Sequence, residues 1–108
     1  MNWKVRYLKE AVKDLKNLDQ TQRYQVVKPI DKVTENPIPD SEGGYGKPLG
    51  NKGGKKLAGY LKIKLLKLGI RVVYKIIKEE TVMIIIVISV RTDDEVYKRA
   101  TERLKDRK

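Results

Sequence analysis

The chain has 108 residues, 25 Lys plus Arg against 14 Asp plus Glu, and a formal net charge of +11 with no histidine. That length predicts one domain, 1–108, with a core of modest size. The absence of Cys and His excludes disulfide scaffolds, thiolate zinc sites, cysteine nucleophiles, haem ligation and proton transfer through imidazole, so no cofactor or metal is implied and any catalysis must use Lys, Arg, Tyr, Ser, Thr, Asp or Glu. The longest apolar run, Val82 to Val90 with Ser89 inside it, is far short of the roughly 20 residues that span a bilayer. Met1 to Arg6 lacks the apolar stretch of a secretory signal, and together these predict a cytoplasmic protein with no membrane contact.

Trp3 to Tyr7 alternates apolar and basic residues, the period of a short half-exposed strand. From Leu8 the period changes: Leu8, Ala11, Val12, Leu15 and Leu18 recur at three- and four-residue steps, predicting an amphipathic helix over 8–18. Asp19 or Thr21 can cap a second helix with Tyr24, Val27, Ile30 and Val33 as its apolar positions, and Pro29 predicts a kink or break in it. Residues 36–59 hold three of the four prolines and seven of the eight glycines and read as one long basic loop. Three β-branched stretches follow, Tyr60 to Leu66, Ile70 to Ile77 and Thr81 to Val90, punctuated at Leu68-Gly69 and Lys78-Glu79-Glu80. The last is apolar on both faces, as a central strand would be. Thr92 to Glu95 matches a capping box, with Val96, Ala100 and Leu104 on one face of a final helix and Arg103 to Lys108 as its frayed end. The predicted class is α+β, order β-α-α-β-β-β-α, with an antiparallel four-stranded sheet packed by the N-terminal helices.

The positive charge is concentrated. Between Lys47 and Lys78 there are ten basic residues and no acidic one, and such an excess favours a polyanionic partner. Period two places Lys62 and Lys64 opposite Leu61, Ile63 and Leu65, and places Arg71, Val73 and Lys75 opposite Val72, Tyr74 and Ile76. Directly paired residues point to the same side, so a turn of even length puts the two basic sets on one face, whereas an odd turn would bury Arg71 among apolar residues at high cost. A two-residue turn at Leu68-Gly69 pairs Leu66 with Arg71, Lys64 with Val73 and Lys62 with Lys75. Arg91 shares parity with Ser89 and Val87, and Tyr97 follows one turn into the final helix. Lys47, Lys52, Lys55, Lys56 and Lys75 are expected phosphate contacts. The bland alternative is a solvated polar face whose lysines discourage edge-to-edge aggregation. The Gly-Lys pairs of the loop fail the Walker pattern, and Asp93-Asp94-Glu95 suits the start of a helix better than a metal.

Three strings in order, Leu57-Ala58-Gly59-Tyr60-Leu61-Lys62-Ile63-Lys64-Leu65, then Leu68-Gly69-Ile70-Arg71-Val72-Val73-Tyr74, then Val87-Ile88-Ser89-Val90-Arg91 with Glu95-Val96-Tyr97, resemble the RelE branch of the RelE/ParE toxin superfamily over nearly the whole chain. The resemblance implies a toxin of a type II toxin–antitoxin pair, held inactive by a cognate antitoxin, that enters the ribosomal A site beside 16S rRNA and cuts mRNA there. Lys62 and Lys64 match the family's paired active-site lysines, Arg71 its phosphate-stabilising arginine, Arg91 a second catalytic arginine and Tyr97 its C-terminal tyrosine. Leu66 stands where relatives often carry Arg, and Ser89-Val90-Arg91-Thr92 replaces a commoner Gly-Lys-Arg-Glu.

The chemistry suits these side chains. Attack by an RNA 2′-OH needs that hydroxyl deprotonated, a phosphorane stabilised and the leaving 5′ oxygen protonated. A lysine flanked by cations can act as base, because nearby like charge disfavours its protonated form; the choice between Lys62 and Lys64 stays open. An arginine grips phosphate with two parallel hydrogen bonds, and a tyrosine offers a ring for stacking and a hydroxyl for proton transfer. Two other functions fit the same patch: a ParE-like gyrase inhibitor sharing the fold, and a non-catalytic RNA-binding module whose lysines only hold phosphates.

Overall fold

Strict alternation ends at Tyr7, and so does the first strand. The computed structural model describes residues 3–48, 60–65, 67–90 and 98–103. They form β1 (Lys4–Tyr7), α1 (Lys9–Lys16), α2 (Gln20–Val33), a 3-10 turn at Asp40–Glu42, β2 (Lys47–Pro48), β3 (Tyr60–Leu65), β4 (Ile70–Ile77), a second 3-10 turn at Lys78–Glu80 and β5 (Val82–Ser89). Residues 98–103 are helical. No helix among the described residues is long and apolar enough to cross a membrane.

The class is α+β as predicted, but the sheet is mixed and has five strands in the order β1-β5-β4-β3-β2. Where four antiparallel strands were expected, β1 runs parallel to β5, Lys4 opposite Val82 through Tyr7 opposite Ile85, and the extra strand β2 comes from the loop after α2. The chain between β1 and β5 is long enough for the crossover that a parallel pair requires. As the sequence predicts, β5 is central and its residues Val82, Met83, Ile85, Ile86, Val87 and Ile88 are buried.

Asp19 rather than Thr21 caps α2, its carboxylate accepting from the Gln22 N–H at 2.8 Å in a capping box. The helix then continues through Pro29, contrary to a break there. Pro29 removes one hydrogen bond, and the burial of Val26, Ile30 and Val33 on the sheet offsets the loss. That stripe excludes Tyr24, an expected inward position, which is 68% exposed with the Lys28 ammonium 5.8 Å from its ring centroid.

The first part of the predicted loop 36–59 is built rather than open. Tyr74, buried in β4, donates its hydroxyl to the Pro37 carbonyl at 2.8 Å. Tyr45 N–H donates to Asn36 C=O at 2.9 Å, and Lys78 pairs with Glu42 at 2.9 Å. Glycine is required here for two different reasons: Gly43 has φ +89, and an added Cβ at Gly44 or Gly46 would collide with the backbone of Ile38 or Pro37. Residues 49–59, the second part of that loop, lie outside the described residues, as do the Thr92–Glu95 capping box and 104–108 of the tail.

Two hydrophobic clusters sandwich the sheet. One packs Val26 and Ile30 of α2 and Ala11 of α1 against Leu61, Val72, Tyr74, Met83, Ile85 and Ile88. On the opposite face Val73, Ile86 and Val87 pack against Ala100 of the helical residues 98–103. A bulge makes the second cluster possible: Val73 faces Val87 while Tyr74 faces Ile85, so Ile86 is the extra residue and joins Val87 on the same side.

Candidate active site

The face that carries Val73 and Val87 also carries the cations. β3 and β4 pair with Lys64 opposite Arg71, Lys62 opposite Val73 and Tyr60 opposite Lys75. The expected partners of Lys64 and Lys62 are therefore displaced by two residues, because Leu65 pairs with Ile70 and four residues instead of two separate the strands, with Gly69 at φ +65. A shift of two preserves side-chain parity, so Lys62, Lys64, Arg71 and Lys75 share one face as the sequence predicts. Lys47 in β2 is opposite Lys62 and adds a fifth cation. Directly opposed side chains have Cβ atoms about 5 Å apart, which puts Lys64 beside Arg71 and Lys47 beside Lys62.

The surroundings differ in burial. Lys64, Lys47 and Lys75 are exposed, whereas Lys62 and Arg71 are half-buried. Lys64 and Arg71, with Leu65, Gly69 and Ile70, line a depression of about 110 Å³. Ser89 of β5 is opposite Arg71; Arg91, Tyr97, Lys52, Lys55, Lys56 and Leu66 lie outside the described residues. Burial raises the Tyr60 hydroxyl above the ordinary tyrosine pKa, so at neutral pH that ring is uncharged. The Lys75 ammonium lies 5.9 Å from its centroid.

Sequence reasoning missed a second polar cluster. β1 covers the edge of β5 only as far as Ile85; beyond it, the Ile86 carbonyl accepts from Arg103 Nη1 at 2.7 Å and the Ile88 N–H donates to Asp14 Oδ2 at 3.0 Å. Arg103 also donates to both Asp14 oxygens, at 2.7 and 3.0 Å. The expected frayed end at Arg103 is thus a largely buried ion pair, each side chain 13% exposed. A signal was present: Asp14 falls on the helical stripe with Ala11, Leu15 and Leu18, where a carboxylate needs a partner.

Residues 5–96 match the family described as ParE toxin of type II toxin-antitoxin system, parDE. The chain is also 29% identical over 109 residues, 97% of its length and 100% of the relative's, to an Escherichia coli protein described as RelE-like toxin. It belongs to the RelE/ParE superfamily of type II toxins. The fold agrees with RelE/ParE membership. A mutant of Escherichia coli toxin RelE in the free state superposes with a TM-score of 0.73 at 29% identity, covering 96% of this chain and 99% of that one. The toxin–antitoxin complex RelBE2 of Mycobacterium tuberculosis gives 0.67 at 26% identity over 86% and 95%, and the intact Escherichia coli RelBE complex 0.65 at 27% over 83% and 98%.

Proposed function

We propose that this toxin is an endoribonuclease that cleaves mRNA in the ribosomal A site without a metal ion. The observation that carries the reading is the pairing of Lys64 with Arg71 across β3 and β4, with Lys62 one step along the same face. A lysine amine takes the proton of the 2′-OH, the 2′ oxygen bonds to phosphorus, and the bond to the 5′ oxygen breaks as that oxygen takes a proton from the Tyr97 hydroxyl, leaving a 2′,3′-cyclic phosphate and a 5′-OH; solvent then removes the lysine's proton and restores that of the tyrosine. Arg71 opposes the charge that builds on the phosphorane oxygens, fixed in place by its strand. Arg91 and Tyr97 match the family's second catalytic arginine and C-terminal tyrosine, and their chemistry suits them to leaving-group stabilisation and to base stacking or proton transfer. Lys47 and Lys75, with Lys52, Lys55 and Lys56, hold RNA phosphates.

The partner we propose in the cell, besides the ribosome and its message, is a cognate antitoxin: relatives crystallise as RelBE toxin–antitoxin complexes, and a +11 chain favours an acid-rich one. The cytoplasm, where ribosomes and message are found, is the proposed location. The match to ParE toxins keeps gyrase inhibition as the second reading.

Induced expression followed by primer extension on a translated message separates the readings. Breaks within codons, reproduced with the purified protein and ribosomes and abolished by Arg71→Ala, support cleavage. Intact message with DNA damage supports the gyrase reading, and intact RNA and DNA with binding alone leaves a non-catalytic RNA-binding module.

A further inference from the structure

We propose that Tyr60 and Lys75 form a second RNA contact on this toxin, a platform for an unpaired base of the substrate strand, two rows along the sheet from Lys64 and Arg71. The proposal rests on the RNA-cleaving reading and names a subsite for it. Tyr60 and Lys75 are directly opposed, and parity places them on the face of Lys62, Lys64 and Arg71. Two residues along a strand advance about 7 Å, so the Tyr60–Lys75 row lies about 14 Å from the Lys64–Arg71 row, with the Lys62 row between them. An RNA strand gripped at Arg71 and followed along β3 therefore meets lysine first and then an aromatic ring with a lysine beside it.

The ring is held as a platform requires. It packs against the Val73, Ile86, Val87 and Ala100 cluster, which fixes it at the start of β3, and it still admits the Lys75 ammonium at 5.9 Å. A face that accepts a cation is electron-rich and open to a group from outside the core. Lys75 is exposed, and its flexible stem lets the ammonium move to a phosphate while a base takes its place over the ring. Beside the pair, at the end of the sheet, a cavity of about 360 Å³ is lined by Pro39, Pro48, Ile76, the paired Lys78 and Glu42, and Glu79 as well as Tyr60 and Lys75, the carboxylates being acceptors for the amino groups of a base rather than partners for phosphate. Its size and mixed lining suit a single planar base.

The test uses the full chain and a short fluorescein-labelled single-stranded RNA with a 2′-deoxy nucleotide at the cleaved position, so that binding is read without cutting. A matching series has one base removed at each position flanking the cut. Tyr60→Leu is expected to weaken binding of the intact strand about tenfold and to leave unchanged the binding of one strand in the series, the one lacking the platform's base. Tyr60→Trp, which keeps an aromatic face, restores tight binding. Equal loss on every strand, or a Trp variant as weak as Leu, would overturn the proposal and reduce Tyr60 to a support for Val73. A Tyr60→Leu defect seen with vacant ribosomes but not with the free strand would overturn it too, because the base would then belong to ribosomal RNA. If the base-specific loss is observed while wild-type protein leaves translated message intact, the platform stands and the cleavage reading fails.

Discussion

Asp14 and Arg103, 89 residues apart in sequence, meet in a two-pronged ion pair that also completes the backbone hydrogen bonding of β5. The guanidinium supplies the donor that the Ile86 carbonyl lacks once β1 has ended, and the carboxylate supplies the acceptor for the Ile88 N–H. The pair ties the helical residues 98–103 to α1 and β5.

Removing one partner leaves the other charge and a backbone group unsatisfied in a site only 13% exposed. Asp14→Ala is expected to lower stability by about 3 kcal/mol in urea denaturation. Replacing both residues by apolar ones of similar volume, Asp14→Leu with Arg103→Met, is expected to recover part of that loss, since no buried charge then remains. A double variant less stable than the sum of the singles would contradict the ion-pair account.

The opposition of Lys64 and Arg71 separates charge from geometry. Arg71→Lys keeps the cation and loses the planar fork, so single-turnover cleavage on programmed ribosomes is expected to fall about 100-fold while ribosome affinity changes little. Lys64→Ala is expected to lower the cleavage rate more than it weakens binding. The reverse pattern would demote Lys64 to a phosphate contact.

Tyr74 links the core to the loop after α2. Burial pushes its hydroxyl pKa far above the ordinary 10.0, and a raised pKa in the folded state gives stability that is complete below the unfolded value and declines as pH rises above it. The decline for one such group approaches about 1.4 kcal/mol per pH unit. In urea titrations between about pH 8 and pH 11, Tyr74→Phe is expected to be less stable at the acid end by about 1 kcal/mol and to show a shallower alkaline decline. Parallel curves would mean that the unfolded state shares the shift.

At Gly46 the same hydroxyl lies so close that a Cβ would collide with it and with the Pro37 carbonyl. Gly46→Ala is therefore expected to lower the melting temperature, and the loss should shrink when Tyr74 is already Phe. Independent, additive effects would rule out that contact as the cause.

Pro29 is tolerated within α2 without being favoured. Pro29→Ala restores an N–H to the helix ladder while loosening the unfolded chain, and the net expectation is a gain of about 1–2 kcal/mol. A loss in calorimetry would show that Pro29 has a packing role of its own.

Much of the site's logic is local and therefore legible in the letters. Alternation assigns Lys62, Lys64, Arg71 and Lys75 to faces, and the cost of burying Arg71 fixes the parity between the two strands. The same economy identifies the core residues Leu61, Val72 and Tyr74, whereas the letters offered both Asp19 and Thr21 as the cap of α2 and the structure chose Asp19. Tyr24 was misread because the spacing of α2 fits two overlapping stripes, and only the sheet beneath selects Val26, Ile30 and Val33.

Parity is a property of neighbouring residues, so the amino-acid sequence alone determined that the basic side chains emerge together and what chemistry they can perform. Register, strand order and the pairing of Asp14 with Arg103 depend on which distant segments meet, and the packed structure decided them. It lengthened the β3–β4 turn so that Arg71 faces Lys64, laid β1 parallel to β5, and left on β5 an open edge that two charged side chains close.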